Sequence, residues 1–527
     1  LHLALLHSPH AHAVLRSIDT SRAEAREGVA LVLTHLNTPT VRYTTAGQGH
    51  PEPSPYDARM FDSKVRFVGD RVAAVAADSE EVARWACELI DVEYDTLQPV
   101  LSLDEAMADG APVIHDEDDA LDIWAAERNC VSHMVASAGD VEEGFTECDA
   151  VVDVTCETQY AQHVPIENHI ATTYLDEDDR LVIVSSTQVP FHVRRIIARV
   201  IDVPVHRIRV IKPRIGGGFG VKQEVLIEDL PALVTMRTGR PAVLEYDRAQ
   251  EFVSARTRHP MRVRVKLGAK RDGILHAIEM EVWSNTGAYG THGLTVLSNV
   301  GSKTLPLYNK APHVRFWGEA YYTNLPVGGA YRGYGATQGY FALETAIDRL
   351  ASELGIDALE LRRRTHIRTG ETSPIFAALG EGRAGVEQTI TSCELESCIG
   401  IGADHIDWGG KRGLRRTEGD WVYGVGMSIH MQGSGIPLID MGAASLKMND
   451  DGSFNLSIGA TDLGTGSDTI LGQIAAEVLG VPLEKIIVRS SDTDLTPFDV
   501  GAYASSTTYV SGMAVQRAAY DVAEQIK

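Results

Sequence analysis

The sequence has little cysteine and no cysteine arrangement suited to a metal. Its 527 residues include six cysteines, of which only Cys393 and Cys398 lie close together, with no second pair beside them. This excludes the paired spacing typical of zinc and iron–sulfur sites. The low density of cysteine also argues against a disulfide framework. A chain without disulfides is typical of a reducing compartment, so a cytoplasmic location is expected.

Long apolar runs and an excess of positive charge are absent too. No stretch approaches the ~20 consecutive apolar residues that a membrane-spanning helix needs, so no membrane span is expected. Lys and Arg number 48 against 72 for Asp and Glu, which gives a formal charge of −24. Because such a field repels phosphate backbones, a nucleic-acid partner is not expected. The hydrophobic share of 44% is that of a globular protein.

Residues 1–115 are predicted to form a small α/β domain. A β-hairpin is expected from Val65–Val68 and Val72–Ala76, joined by a glycine turn. Asp78 is expected to cap a helix that ends near Leu89.

An internal repeat organises the rest of the chain. Residues 198–210, ARVIDVPVHRIRV, and residues 476–488, AEVLGVPLEKIIV, share six identities at thirteen positions. A hairpin-like segment precedes each copy, at 174–188 and 447–462. Each unit is therefore predicted as strand, turn, strand, polar loop, helix and strand. Two related domains that face one another would leave a cleft for a ligand.

The repeat predicts the remaining domain boundaries. The first unit is expected at 120–369, a connector at 370–420 and the second unit at 421–527. Within the first unit, alternation at period two predicts a hairpin of Arg262–Leu267 with Leu275–Trp283, and apolar spacing predicts a helix at Leu343–Leu354.

Four loops at predicted strand ends carry residues suited to a bulky anionic ligand. Glycine lets a backbone approach such a ligand closely and direct N–H groups at its oxygens, while hydroxyls and amides supply neutral donors and acceptors. The spacing matches neither a phosphate loop nor a dinucleotide-binding fingerprint. Any one loop alone is explained by a tight turn, but four on a repeated scaffold favour a binding site. The loops are Ser186–Gln188; Gly216–Gly220 with Lys222 and Gln223; Gly328–Gly335 with Gln338; and Gly464–Ser467 with Gly501 and Ala504–Thr508.

Two histidine-rich segments imitate metal sites. One holds His7, His10 and His12, predicted on one side of an extended segment, and the other is QHVPIENH at 162–169. No carboxylate or cysteine accompanies the first group, and the second is typical of a packed turn. Structural roles are therefore expected for both.

Taken in order, the segments SSTQ, GGGFGVKQE, GAYRGYGATQ, LGTGSDT and ASSTTYVSGMAV resemble the large, molybdenum-binding subunit of the xanthine dehydrogenase family of molybdenum hydroxylases. The resemblance extends over essentially the whole chain, and GGGFG followed by GAYRGYG is its most specific part. It implies an α+β, multi-domain fold, with an N-terminal α/β hammerhead-like domain and two related molybdopterin-binding domains, the second truncated at its C-terminus.

The same resemblance implies the cofactors and partners. The cofactor would be molybdopterin-type, alone or as a dinucleotide, with the molybdenum held by the pterin and by no side chain. Since the chain has neither cluster cysteines nor a flavin fingerprint, iron–sulfur clusters and FAD are expected on partner subunits, a 2Fe–2S subunit and an FAD subunit.

Individual residues match family motifs and inherit expected roles. Gln188 would contact a molybdenum oxygen, the backbone at Gly218, Phe219 and Gly220 would lie against an oxo ligand of the metal, and Arg332 would lie beside the pterin dithiolene. The residues expected to hold the pterin are Gly464, Thr465, Gly466, Ala504, Ser505, Ser506, Thr507 and Thr508. At Thr465 the family has glutamine, so that contact would be shortened or lost.

The substrate is expected to contact Gln223 and Tyr334. Xanthine-specific members carry glutamate where this chain has Gln223, and a neutral amide can donate as well as accept, so a different pattern of ring nitrogens is expected. The resemblance implies a hydroxylase that inserts a water-derived oxygen into an electron-poor C–H bond of a purine-like or other N-heteroaromatic substrate. An aldehyde oxidoreductase of the same family and a catalytically incomplete cofactor-binding or assembly chain remain alternatives.

One catalytic group of the family has no counterpart in the sequence. Family members supply a general base from a glutamate in a Gly-Glu-Pro loop, and these 527 residues contain no Gly-Glu-Pro. We therefore expect the base on residues outside this chain, or on a second chain that completes the site. No base role is expected for Glu224.

Overall fold

The computed structural model describes residues 1–46, 49, 53–414 and 416–527, and both strands and helices occur in each part of the chain. Residue 415, in the predicted connector, lies outside the described residues. The strands are β1 His2–His7, β2 Ala13–Asp19, β3 Val29–Thr34, β4 Lys64–Val65, β5 Arg71–Ala77, β6 Asp91–Thr96, β7 Cys130–Ala138, β8 Ala150–Thr158, β9 Ile170–Leu175, β10 Leu181–Ser185, β11 Ile208–Ile211, β12 Ala242–Glu245, β13 Met261–Ala269, β14 Leu275–Gly287, β15 His313–Tyr322, β16 Arg416–Glu418, β17 Trp421–Tyr423, β18 Ala444–Met448, β19 Phe454–Ile458 and β20 Ile486–Ser490. The α-helices are α1 Ser21–Glu24, α2 Glu80–Cys87, α3 Leu103–Met107, α4 Val141–Thr146, α5 Pro190–Val200, α6 Asp229–Thr238, α7 Arg248–Ser254, α8 Gly293–Ser302, α9 Ala336–Leu354, α10 Ala358–Thr365, α11 Leu395–Ile406, α12 Trp408–Lys411, α13 Ser467–Leu479 and α14 Gly512–Ile526.

The largest sheet joins N-terminal strands to strands of the first repeat unit. Its order is β11-β10-β9-β12-β1-β5-β3, and β1 runs parallel to β12 with His2 opposite Val243. A five-stranded sheet, β7-β15-β14-β13-β8, packs against α8 and α9 around the largest apolar core, and the second unit carries the sheet β18-β19-β20. The α+β, multi-domain fold class is confirmed, while the boundaries at 115, 369 and 420 stay a prediction. Among the described residues, no helix has the length and apolarity needed to cross a bilayer.

The hairpin predicted from Val65–Val68 and Val72–Ala76 is wrong. β4 pairs with β2, whereas β5 lies between β1 and β3 in the largest sheet. Every residue of β5 after Arg71 is buried, and a strand buried on both faces belongs at the centre of a sheet. The helix after it, α2, is capped by Ser79 and not by Asp78: the Ser79 side chain accepts a hydrogen bond from the Val82 N–H.

The internal repeat corresponds to two copies of one folding unit, as predicted. In the first copy β9 and β10 form an antiparallel hairpin, α5 follows, and β11 pairs in parallel with β10. In the second, β18 and β19 form the hairpin, α13 follows, and β20 pairs in parallel with β19. The copies meet where Ile211 bridges to Asp492 and Arg209 pairs with Asp492 at 2.6 Å. This contact brings the polar loops of the two copies together.

The remaining predictions for the first unit hold with one change. β13 and β14 form the expected antiparallel hairpin. Helix α9 begins at Ala336, well before the predicted Leu343, and its first turns approach α8 closely: a Cβ at Gly339 would lie 2.5 Å from the Val300 carbonyl oxygen. Because these first turns of α9 pack on α8 through glycine, they carry no regular spacing of apolar residues from which a helix could be predicted.

Candidate cofactor-binding site

The four loops selected from the sequence line one cavity of about 570 Å³ between the two repeat units. The predicted site residues that line it are Gln188, Gly218, Phe219, Gly220, Gln223, Arg332, Tyr334, Thr465, Ala504, Ser505, Thr507 and Thr508. The described residues that line it exclude Gly464, Gly466 and Ser506. Segments separated by more than 300 residues therefore converge on one space.

Glycine brings the GGGFG loop against its neighbours. A Cβ at Gly220, where φ is +111°, would lie 2.4 Å from the Ala330 carbonyl oxygen, and one at Gly218 would lie 2.5 Å from Gln188 Oε1. The Arg332 N–H donates to the Phe219 carbonyl oxygen at 2.8 Å. The second and third loops are thus locked together by backbone contacts that no larger residue permits.

Gln188 ties the first loop to both repeat units. Its Nε2 donates to the Ala502 carbonyl oxygen at 2.7 Å, and its Oε1 accepts from the Gly220 N–H at 2.9 Å. The side chain is buried and lines the cavity. Because an amide nitrogen carries two hydrogens, one N–H of Gln188 remains for a ligand.

Gln188→Ala should therefore loosen the wall of the cavity. The change removes two buried hydrogen bonds, so we expect the free energy of unfolding to fall by about 1–3 kcal/mol. Urea unfolding measures this, with the exposed Gln525→Ala of α14 as the control that should stay within about 0.5 kcal/mol. Equal effects of the two changes would contradict the bridging role.

Strained backbone is concentrated at the cavity. Four non-glycine residues that line it have a positive φ: Phe219 at 56°, Tyr334 at 45°, Ala504 at 52° and Ser505 at 55°. This conformation is disfavoured for residues with a Cβ and persists only where the surroundings hold it, which is common at ligand sites.

Three of the predicted pterin-binding residues do not line the cavity, and their polar groups bond to other parts of the protein. They are Gly464, Gly466 and Ser506. The Asp462 carboxylate accepts hydrogen bonds from the backbone N–H groups of Gly464 and Gly466, at 2.8 and 3.2 Å, and so wraps this loop around itself. The Ser506 hydroxyl is buried and donates to the Tyr503 carbonyl oxygen. Of the predicted Gly-Thr-Gly segment, only Thr465 lines the cavity.

Sequence reasoning missed several residues of the cavity wall. Asn299 and Lys303 lie one helical turn apart at the end of α8, and Glu381 is the one carboxylate among the described residues that line the cavity. Asn299 and Lys303 do not stand in a glycine-rich loop, whereas Glu381 lies between Gly380 and Gly382. The four-residue spacing of Asn299 and Lys303 would place them on one face of a helix. The sequence analysis predicted no helix over α8, so this spacing was not recognised.

A structural role stays the prediction for both histidine-rich segments, and the contacts of the second segment support it. His163 Nε2 lies 2.8 Å from the Ala330 carbonyl oxygen and its ring stacks on Tyr331. Burial lowers the pKa of His163 to about 4, so the ring is neutral. His169 Nδ1 bonds to Glu251 Oε1 at 2.8 Å. The described part of the chain has no cluster of histidine, cysteine and carboxylate side chains that could hold a metal ion.

The cavity wall fits a molybdopterin-type cofactor. Within the described residues, the backbone N–H groups of Gly218, Phe219, Ala504 and Ser505 make no hydrogen bond. They line the same cavity as the hydroxyls of Thr465, Thr507 and Thr508. The exposed guanidinium of Arg332 has no hydrogen bond or ion pair to any described residue. Neutral donors and cations of this kind are the groups that bind phosphate and metal-bound oxygens.

Models of known families match three consecutive parts of the chain. The aldehyde oxidase and xanthine dehydrogenase a/b hammerhead domain matches residues 1–98. The molybdopterin cofactor-binding domain matches twice, at residues 124–366 and 402–527.

Individual relatives agree with these matches. The chain is 45% identical to the probable hypoxanthine oxidase XdhD of Escherichia coli K12, over 99% of this chain and 57% of the relative. It is 34% identical to the putative xanthine dehydrogenase molybdenum-binding subunit XdhA of the same organism, over 98% of this chain and 67% of the relative. The solved aldehyde oxidoreductase of Desulfovibrio gigas superposes with a TM-score of 0.85 at 30% identity, over 99% of this chain and 56% of that one.

The chain thus spans little more than half the length of some curated relatives, but it matches them from its first domain to its last. With two molybdopterin cofactor-binding domains behind a hammerhead domain, and glycine loops that enclose one cavity between them, it belongs to the xanthine dehydrogenase family of molybdenum-binding subunits.

Proposed function

We propose that this chain carries the molybdenum cofactor of a hydroxylase that inserts a water-derived oxygen into an electron-poor C–H bond of a purine-like or other N-heteroaromatic compound. One observation carries the choice of substrate. Gln223 is 3% exposed and lines the cavity, and its Nε2 has no hydrogen-bond partner among the described residues. A buried amide donor without a partner is costly unless a ligand accepts its hydrogen bond, and a ring nitrogen or carbonyl of a heterocycle does so.

The residues that would hold the cofactor are Gln188, Gly218–Gly220 and Arg332 near the metal, with Thr465, Ala504, Ser505, Thr507 and Thr508 around the pterin. When bound, this cofactor supplies oxygen transfer to the substrate and accepts its electrons. The N–H groups of Phe219 and Gly218 and the amide of Gln188 would orient the metal's oxygens, and Arg332 would stabilise negative charge there.

The protein's own contribution to the substrate is binding and orientation. Gln223 would donate a hydrogen bond to the heterocycle, and the ring of Tyr334 would lie against its flat face. Glu224, the residue after Gln223, is engaged elsewhere, because its Oε2 accepts from Arg256 Nε at 2.5 Å and from the Thr45 hydroxyl at 2.7 Å. This supports the prediction that the general base is a group other than Glu224.

We further propose that the chain works in the cytoplasm within a complex, with a 2Fe–2S subunit and an FAD subunit that pass the electrons on. The general base would come from a Gly-Glu-Pro glutamate outside these 527 residues, or from a second chain that completes the site. An aldehyde oxidoreductase is the second candidate, and the similarity to the Desulfovibrio gigas enzyme favours it.

The decisive experiment is a metal analysis of the purified complex, with activity screened against hypoxanthine, nicotinate and benzaldehyde. The proposed function predicts bound molybdenum and turnover of at least one heterocycle at a higher kcat/KM than benzaldehyde. Preference for benzaldehyde would establish the second candidate. Molybdenum without turnover of any of the three would indicate an assembly or cofactor-binding role.

Gln223→Glu should change the preference among heterocycles without abolishing activity. A carboxylate accepts hydrogen bonds where the amide donates, and a mismatched buried polar pair costs about 1–3 kcal/mol. The ratio of kcat/KM values for hypoxanthine and nicotinate should therefore shift about 5- to 150-fold. The exposed Gln525→Glu serves as the control. An unchanged ratio in Gln223→Glu would place this side chain outside substrate contact.

A further inference from the structure

Behind the cavity wall lies a row of polar groups that the proposed function does not use. Tyr334 Oη lies 2.6 Å from His292 Nδ1 and 2.8 Å from Thr295 Oγ1. On the far side of the imidazole, His292 Nε2 lies 3.7 Å from Glu224 Oε1. Neither of these last two atoms has a hydrogen-bond partner among the described residues, and both residues are only 1% exposed. The row therefore runs from a buried carboxylate to a tyrosine of the cavity.

Glu224 is held as a carboxylate. Burial alone would raise the pKa of Glu224, but the guanidinium of Arg256 and the Thr45 hydroxyl hold that pKa below its usual range. Gly329 leaves room for Glu224 Oε1, since a Cβ there would lie 2.5 Å from that oxygen. The charge therefore persists at neutral pH, directed at the imidazole.

That charge selects the tautomer of His292. Burial lowers the pKa of His292, so the ring is neutral and carries one hydrogen. A lone pair on Nε2 would face the carboxylate unfavourably, which assigns the hydrogen to Nε2 and leaves Nδ1 as the acceptor. The Tyr334 hydroxyl then donates to His292 Nδ1 and accepts from Thr295.

Tyr334 needs such an anchor. Its φ is 45°, between Gly333 at 97° and Gly335 at 94°, so three successive residues are left-handed. A tyrosine in this region is disfavoured and requires surroundings that hold it. The ring packs edge-on against the His292 ring with centroids 5.5 Å apart, and it lines the cavity together with Phe219, which is 45% exposed.

We propose that His292 is a positioning residue for substrate: fixed in one tautomer by Glu224, it accepts the hydroxyl hydrogen of Tyr334 and holds that ring as a wall for a flat heteroaromatic molecule. The inference rests on the proposed function. It assigns the enzyme's preference for heteroaromatic substrates to the row of Glu224, His292 and Tyr334. Flat rings gain from a fixed aromatic partner, whereas a small aliphatic aldehyde has no ring face to stack. His292 thus favours heterocycles over such aldehydes through Tyr334.

The test uses the assembled, molybdenum-loaded enzyme with His292→Leu and His292→Asn. Leucine removes the acceptor, while the Oδ1 of asparagine can accept near the place of Nδ1. The loss of one buried hydrogen bond predicts a Kd and a KM for hypoxanthine about five- to tenfold higher in His292→Leu, with kcat within about twofold of the parent and molybdenum content unchanged. His292→Asn should recover the parent Kd to within about twofold. The Kd is measured by calorimetry without an electron acceptor.

A double-mutant cycle with Tyr334→Phe separates positioning from general damage. Tyr334→Phe keeps the ring but loses the hydroxyl, so it should raise the Kd to a similar extent and add little to His292→Leu. The KM for acetaldehyde should change less than the KM for hypoxanthine in both variants. Additive effects, equal losses for hypoxanthine and acetaldehyde, or an unchanged Kd in His292→Leu would overturn the inference alone. A parent enzyme that neither binds nor turns over a heterocycle would overturn the proposed function, and this inference with it.

Discussion

Gly220→Ala should leave the site without cofactor and lower the free energy of unfolding by about 3 kcal/mol or more. At Gly220 φ is +111°, and an added Cβ would lie 2.4 Å from the Ala330 carbonyl oxygen and 3.0 Å from Tyr331 Cα. Both contacts are to backbone, so they are relieved only if the GGGFG loop and the loop at 328–335 move apart. Urea unfolding of the chain and the molybdenum content of the assembled enzyme measure the two effects.

Gly239→Ala is the matched control. Gly239 ends α6 with φ at +68°, and a Cβ there meets nothing within 4 Å. It carries the same conformational penalty without the loop contact, so we expect a loss of about 1 kcal/mol and full molybdenum. Equal losses in the two variants would mean that left-handed backbone, and not the joining of the two loops, makes Gly220 necessary.

Arg332→Ala should reduce kcat about 100-fold or more while the chain keeps its fold and its molybdenum. Only the backbone of Arg332 serves the structure: its N–H donates to Phe219 and its carbonyl oxygen accepts from Arg258. The guanidinium lines the cavity and contacts no described residue through a hydrogen bond or an ion pair. Removing the guanidinium would take a cation from the proposed position of the metal and would break no hydrogen bond or ion pair to a described residue.

Two further variants sharpen this prediction. Arg332→Lys keeps the charge but loses the planar pair of donors, so its kcat should fall between those of the parent and the alanine variant. Arg349→Ala removes an exposed arginine of α9 and should leave kcat unchanged. Full molybdenum with parental turnover in Arg332→Ala would remove this residue from the site.

The sequence alone predicted the elements whose causes are local. The repeat at 198–210 and 476–488 predicted the order of strands and helices in both copies, because turn residues and apolar periods act over a few positions. The glycine loops were predicted as one site because all four lie at predicted strand ends of a chain that carries a repeated scaffold. The close approach of backbones at Gly218 and Gly220 gives this prediction its physical basis.

The tertiary structure decided what depends on distant partners. The apolar run of β5 suits a hairpin arm or a central strand equally well, and only its burial between β1 and β3 distinguishes them. Likewise, Gly464 and Gly466 have the composition of a ligand loop, but the carboxylate of Asp462 takes up their N–H groups.

The pairing of Tyr334 with His292 joins residues 42 positions apart, and Glu224 lies further still along the chain. Local sequence specifies backbone conformation and spacing, whereas hydrogen-bond partners and tautomers depend on which segments the folded chain brings together. The sequence by itself therefore determined the family, the repeated scaffold and the loops of the site. Only the folded structure decided which groups in those loops remain available to a ligand.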